Sequence, residues 1–149
     1  MFFRFFRKEK DEKKDEYDIK VRDMTITDEF QLVKSSSSVR DIMEKIVSSQ
    51  RDAILVMDER GEIIGCIKAK AVINAIMQTD KKPEEINVTS VMERNIVKVN
   101  INSSLRQIIP LIKQRRPEAV VVVDDKNVFQ GYFSQTDMEV AAAELGIEL

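Results

Sequence analysis

Ser37-Ser38-Val39-Arg40 and Ser103-Ser104-Leu105-Arg106 are nearly the same phrase written twice, 66 positions apart (103 − 37 = 66). Working outward at that offset, Val33 meets Val99, Ile42 meets Ile108 and Ile46 meets Ile112. Ala53 meets Ala119, Val56 meets Val122, Asp58 meets Asp124, Gly65 meets Gly131 and Ala75 meets Ala141, with no gap from 33 to 141. Self-similarity at a fixed period marks a duplicated supersecondary unit. Two copies are too few for a solenoid. A pair is expected to close on itself about a pseudo-two-fold axis, with clefts between the copies where a site can form.

Each copy reads strand, helix, strand, strand, helix. In the first, Glu29 to Lys34 predicts a short strand, and Ser38 with Asp41 predicts a capped helix from Val39 to about Ser49. Ala53 to Met57 is an unbroken apolar run, as in a buried strand. Asp58-Glu59-Arg60-Gly61 is a turn with a glycine free to take positive φ. Glu62 to Ile67 returns as the second hairpin strand, and a helix follows from about Ala69 to Thr79. The second copy repeats the plan. Ile96 to Val99 is a strand, and Ser104 with Gln107 predicts a capping box for a helix from Leu105 to about Arg115, kinked at Pro110. Ala119 to Val123 and Val128 to Phe133 form the hairpin, with Asn127 in the place of Gly61, and Gln135 to about Leu145 is the last helix, closed by Gly146. Asp80 to Ile86, with Pro83, links the copies.

A short strand, a capped helix, an apolar strand ending in Asp, a tight turn, then Gly131-Tyr132-Phe133-Ser134-Gln135-Thr136-Asp137 resembles a cystathionine-β-synthase-type (CBS) domain. Two in tandem resemble a Bateman module. The resemblance covers about residues 19 to 146. It implies an α/β (α+β) fold of two pseudo-symmetric repeats, 19–80 and 81–149, packed sheet-to-sheet with helices outside. It further implies clefts that bind adenosine-containing ligands, a non-catalytic regulatory role, and homodimers arranged head-to-head or head-to-tail.

Ser134-x-x-Asp137 suits a nucleotide on chemical grounds. A carboxylate can accept from both ribose hydroxyls, and a helix start offers unpaired N–H groups and a positive dipole end to phosphate. The same four residues are also an ordinary helix cap, worth about 0.5–2 kcal/mol with no ligand. The first copy carries Lys68 and Ala71 at the equivalent positions, so it offers no ribose carboxylate. By the resemblance, the wall of the competent cleft includes Thr25, Ile26 or Thr27, Gln31, Arg51, Asp52, Glu118 and Ala119, with Tyr132 beneath the base; Phe133 is a further candidate ligand-binding residue. Arg51 suits a phosphate, whereas Asp52 and Glu118 repel a polyphosphate. The expected ligand is therefore AMP, adenosine or S-adenosylmethionine before ATP, bound as a regulatory ligand; no cofactor is required.

Composition narrows the alternatives. With 149 residues, 43% hydrophobic and 34% charged, the chain has material for one ordinary core or two small lobes. The net charge of −2 gives no global reason to bind nucleic acid. Histidine is absent, which removes His-based catalysis and His metal ligands. The single cysteine, Cys66, sits in an apolar run and reads as a buried structural thiol. An enzyme is not expected. Residues 1–18 form a charged, Phe-rich tail: Phe2, Phe3, Phe5 and Phe6 are interleaved with Arg4 and Arg7. The tail reads as frayed or packed on its own dimer, with membrane contact the less favoured alternative. No apolar stretch reaches the roughly 18 residues of a span, and the expected location is the cytoplasm. The second functional reading is a homodimeric interaction scaffold with vestigial clefts; in either reading the effector protein is unknown.

Overall fold

The computed structural model describes residues 4–5, 19–25, 30–48, 53–144 and 146. The first repeat folds as β3 (Phe30–Lys34), α1 (Val39–Ser48), β4 (Ala53–Met57), β5 (Ile63–Ile67) and α2 (Ala69–Gln78). Strand order is β3-β4-β5, with β3 parallel to β4 and β4 antiparallel to β5. A parallel pair needs a crossover, and α1 supplies it. The second repeat folds as β6 (Ile96–Asn100), α3 (Leu105–Arg115), β7 (Ala119–Val123), β8 (Phe129–Ser134) and α4 (Gln135–Glu144), with order β6-β7-β8. Two three-stranded sheets with four helices are the expected mixed α/β architecture.

The repeat extends to fine detail. In the hairpin turns, Asp58 Oδ1 accepts from the N–H groups of Arg60 and Glu62, each at 2.9 Å. Asp124 Oδ1 accepts from Lys126 and Val128 at 2.8 and 2.9 Å. Gly61 has φ +81° and Asn127 +64°, the left-handed conformation each turn requires. Register shifts fall between Val56 and Met57 and, 66 residues on, between Val122 and Val123.

One expected cap is absent. Ser104 precedes α3 without a side-chain hydrogen bond to it. The Gln107 N–H bonds instead to the Ser104 carbonyl at 3.0 Å, and the Leu105 N–H goes to the Ile19 carbonyl at 2.7 Å. Ser104 is itself bridged to Lys20, so an incoming chain segment does the capping. Helix α3 runs on through Pro110 and ends at Arg116, whose φ of +45° and bond to the Ile112 carbonyl close it.

That segment belongs to a crossover. Ile19 to Thr25, including a 3-10 turn at Val21–Asp23 and β2 (Met24–Thr25), comes before the first repeat in the chain. It packs with the second: Val21 and Met24 join Val97, Val99, Leu105, Ile108, Val120, Phe133 and Met138 in one core. The linker does the converse. Ile86, Val88 and Met92 join Val33, Val39, Ile42, Ile54, Val56 and Val72 in the other core, the Val39 N–H bonds to the Ile86 carbonyl at 2.7 Å, and Glu93 pairs with Cys66 at the edge of β5. Gly65 permits this approach; a Cβ there would lie 2.8 Å from the Glu93 carbonyl oxygen. The compact units are accordingly Glu29–Ile96, and Met1–Asp28 with Val97–Leu149. Within the tail, β1 (Arg4–Phe5) pairs antiparallel with β2, Arg4 opposite Thr25 and Phe5 opposite Met24, a pairing not foreseen from the sequence.

Candidate functional site

Strand β8 ends at Ser134 and α4 starts at the next residue. Across that junction the Ser134 N–H donates to Asp137 Oδ2 at 3.0 Å, and the Asp137 N–H donates to Ser134 Oγ at 3.1 Å. This is a reciprocal capping box. It takes two backbone donors at the helix start; the N–H groups of Gln135 and Thr136 are first-turn donors of the kind that have no intrahelical partner. Ala119, 2% exposed, is the register partner of Ser134, and half-buried Glu118 precedes it. Tyr132 and Phe133 are both buried. Strand alternation sends them to opposite faces: Phe133 lies in the core cluster with Val120 and Met138, and Tyr132 shares its face with Ser134.

The same box occurs at α1. There the Ser38 N–H donates to Asp41 Oδ2 at 2.8 Å and the Asp41 N–H donates to Ser38 Oγ at 3.3 Å. Asp41 is exposed, whereas Asp137 is only 5% exposed and is the one buried charged side chain among the described residues. Burying a carboxylate is costly without compensation. The box uses Asp137 Oδ2, and among the described residues no buried side-chain oxygen or nitrogen is left without a hydrogen-bond partner. In the first repeat α2 starts differently: exposed Lys68 makes no side-chain cap, and the Ala71 N–H bonds to the Lys68 carbonyl at 3.0 Å.

The structure therefore brings together Ser134, Asp137, Tyr132, Glu118 and Ala119. Thr25 lies on β2 in the same packing unit. Gln31, half-buried on β3 opposite Ile54, is in the other unit. Ile26, Thr27, Arg51 and Asp52 lie outside the described residues. Sequence reasoning did not single out Glu93, although its distance from Val88 matches that of Ile26 from Val21. In the first repeat Glu93 lies against Cys66, the counterpart of Tyr132. Cys66 is buried, as a structural thiol should be. A cavity of about 440 Å³ lies elsewhere, between the end of α2 and the linker, beside Thr79, Glu85 and Asn87. Among the described residues, no three acidic or thiol side chains are placed to hold a metal ion. Nor is any helix there long and apolar enough to cross a membrane.

Comparison with known proteins bears on the family and the fold. The CBS-domain family model matches the chain twice, over residues 21–78 and 88–143. No curated protein matches it. The CBS domain of a bacterial CNNM/CorC family Mg2+ transporter, solved in complex with ATP, superposes with a TM-score of 0.70. It is 17% identical, and the match covers 90% of this chain and 92% of that one. A CBS domain-containing protein of unknown function from Bacillus anthracis str. Ames Ancestor gives 0.68 at 20% identity, covering 88% and 98%. The cytosolic domain of the Mg2+ channel MgtE, also in complex with ATP, gives 0.59 at 19% identity, covering 78% of this chain and 46% of that one. At such identities the likeness shows the shared fold. The two matched segments, each spanning one strand–helix–hairpin–helix copy, show that this chain belongs to the CBS-domain family as a tandem pair.

Proposed function

We propose that this pair is a non-catalytic regulatory module of the cytoplasm whose second repeat binds an adenosine-containing ligand and passes its occupancy to a partner chain. The observation that carries the reading is the Asp137 carboxylate, 5% exposed at the start of α4 and the one buried charged side chain among the described residues. A ribose offers a carboxylate two hydroxyl donors. The N–H groups of Gln135 and Thr136, at the positive end of α4, suit a single phosphate. Tyr132, on the face of Ser134, suits the base. Two fold relatives in complex with ATP support an adenine nucleotide as the class. Half-buried Glu118 beside Ala119 argues for low ligand charge, which puts AMP, adenosine and S-adenosylmethionine ahead of ATP. Regulation then requires that the ligand bind two conformations unequally.

A second reading, an interaction scaffold without ligand, is favoured by one observation: Ser38 and Asp41 build the same box where no ligand is implied. A thermal-shift panel of adenosine, AMP, ADP, ATP, NAD and S-adenosylmethionine separates the two. A ligand at about a hundredfold over its Kd stabilises by about 2.7 kcal/mol, a shift of several degrees. The regulatory reading expects that shift in the parent and in Asp41→Ala, but not in Asp137→Ala. If no compound shifts the parent, or Asp137→Ala shifts equally, both boxes are caps and the scaffold reading stands.

A further inference from the structure

The cavity of about 440 Å³ at the end of α2 has the size of a small-molecule site. Every residue that lines it belongs to the unit Glu29–Ile96, whereas Asp137 belongs to the other unit. Its floor is apolar: Ile86 is 7% exposed, and Ala75 and Val91 are half-buried. Its rim is polar, with Lys81, Glu85 and Asn87 all exposed. The linker wall is fixed before any ligand arrives. Pro83 opens a 3-10 turn, the Val39 N–H bonds to the Ile86 carbonyl at 2.7 Å, and the Val88 N–H bonds to the Ser37 carbonyl at 3.0 Å. A preformed wall spares a ligand the cost of ordering it.

The charges on the rim indicate the chemistry of the ligand. Lys81 and Glu85 line one cavity with opposite charge, yet neither makes an ion pair with the other or with any described residue. The cavity also lies at the carbonyl end of α2. The last four carbonyls of a helix have no intrahelical partner, and Thr79 at the C-cap gives them no closing N–H, unlike Arg116 at the end of α3. The helix dipole and the Glu85 carboxylate both favour an ammonium group there. On the linker side, Asn87 Oδ1 already accepts from the Thr89 N–H at 2.8 Å and from the Thr89 hydroxyl. That leaves Nδ2 as the donor of this amide, and Lys81 with Asn87 Nδ2 suits a carboxylate. A ligand with an ammonium, a carboxylate and an aliphatic body over Ala75, Ile86 and Val91 matches all three parts. A diamine sets a cation against Lys81, and a dicarboxylate sets an anion against Glu85 and the helix end.

We propose that this cavity is a binding site for a free α-amino acid with an aliphatic side chain, its ammonium held by Glu85 and the end of α2 and its carboxylate by Lys81 and Asn87. The site is independent of the adenosine reading and is tested without nucleotide. The full chain is titrated with L-leucine, L-isoleucine, L-valine and L-methionine and followed by amide NMR. The expected result is one saturable site for at least one of the four, with shifts concentrated in residues 75–91. Glu85→Gln and Lys81→Gln, both at exposed positions, each weaken binding about tenfold or more. The N-acetyl and amide derivatives of the amino acid that binds, each lacking one of its two charges, bind about tenfold more weakly or worse. Unchanged amide spectra outside the site check that each variant is folded. The proposal is overturned if none of the four binds even at about 10 mM, where a site of millimolar Kd is nearly filled. It is also overturned if the shifts fall in residues 97–144, or if Glu85→Gln and Lys81→Gln bind as the parent does. Equal binding of the amino acid and both derivatives overturns it too, because the apolar body alone then accounts for the affinity.

Discussion

A carboxylate in the first turn of a helix is commonly a cap, and Asp41 is one. Asp137 makes the same two bonds with its side chain almost wholly out of water. Both boxes were legible as Ser-x-x-Asp in the sequence. The burial that sets Asp137 apart was not, because it depends on what the fold packs around the helix start. Ser104 failed for the same kind of reason: a local pattern cannot reveal that the Ile19 carbonyl arrives from far along the chain to take the Leu105 N–H. Asp125 offers a check on polar detail at this scale. Hydrogen bonds from Asn100 and Asn102, with a smaller contribution from the Arg22 charge, outweigh desolvation and hold its carboxyl below the ordinary value of 3.8. A group depressed on folding stabilises the fold above its ordinary value, and that contribution fades as pH falls through the lowered one. An NMR titration is expected to show Asp125 titrating below 3.8 in the parent and moving up in Asn100→Ala.

At the scale of elements, periodicity and turn chemistry predicted both hairpins and all four helices to within a residue or two. The aspartates that lock the turns, Asp58 and Asp124, are the kind of residue turn geometry selects. The packing partner of each leading segment was beyond reach, since self-similarity reports order along the chain and not which core a segment enters. The crossover has a measurable consequence. Val21 and Val88 are both fully buried, at 0% exposure, but in different cores. Truncating either to Ala removes about two methylene equivalents and is expected to cost about 2 kcal/mol. Hydrogen exchange read by mass spectrometry is expected to show Val21→Ala loosening residues 97–144 first, although Val21 precedes the first repeat. Val88→Ala is expected to loosen residues 30–78 first. The reverse pattern contradicts the crossover.

For the whole molecule, duplication followed by divergence is the organising fact. One copy has a buried carboxylate at the start of its last helix, where the other has Ala71. The family and the repeat were legible in the sequence because they rest on residue types at fixed spacing. The burial of Asp137 was not, because it depends on what the fold packs around the start of α4. The most direct test of the central claim is isothermal titration of the chain, and of Asp137→Ala, with AMP, adenosine and S-adenosylmethionine. The account predicts one site per chain for at least one of these ligands, with affinity lost at least tenfold in Asp137→Ala. It is contradicted by no binding of any of the three, by two equal sites per chain, or by a variant that binds as the parent does.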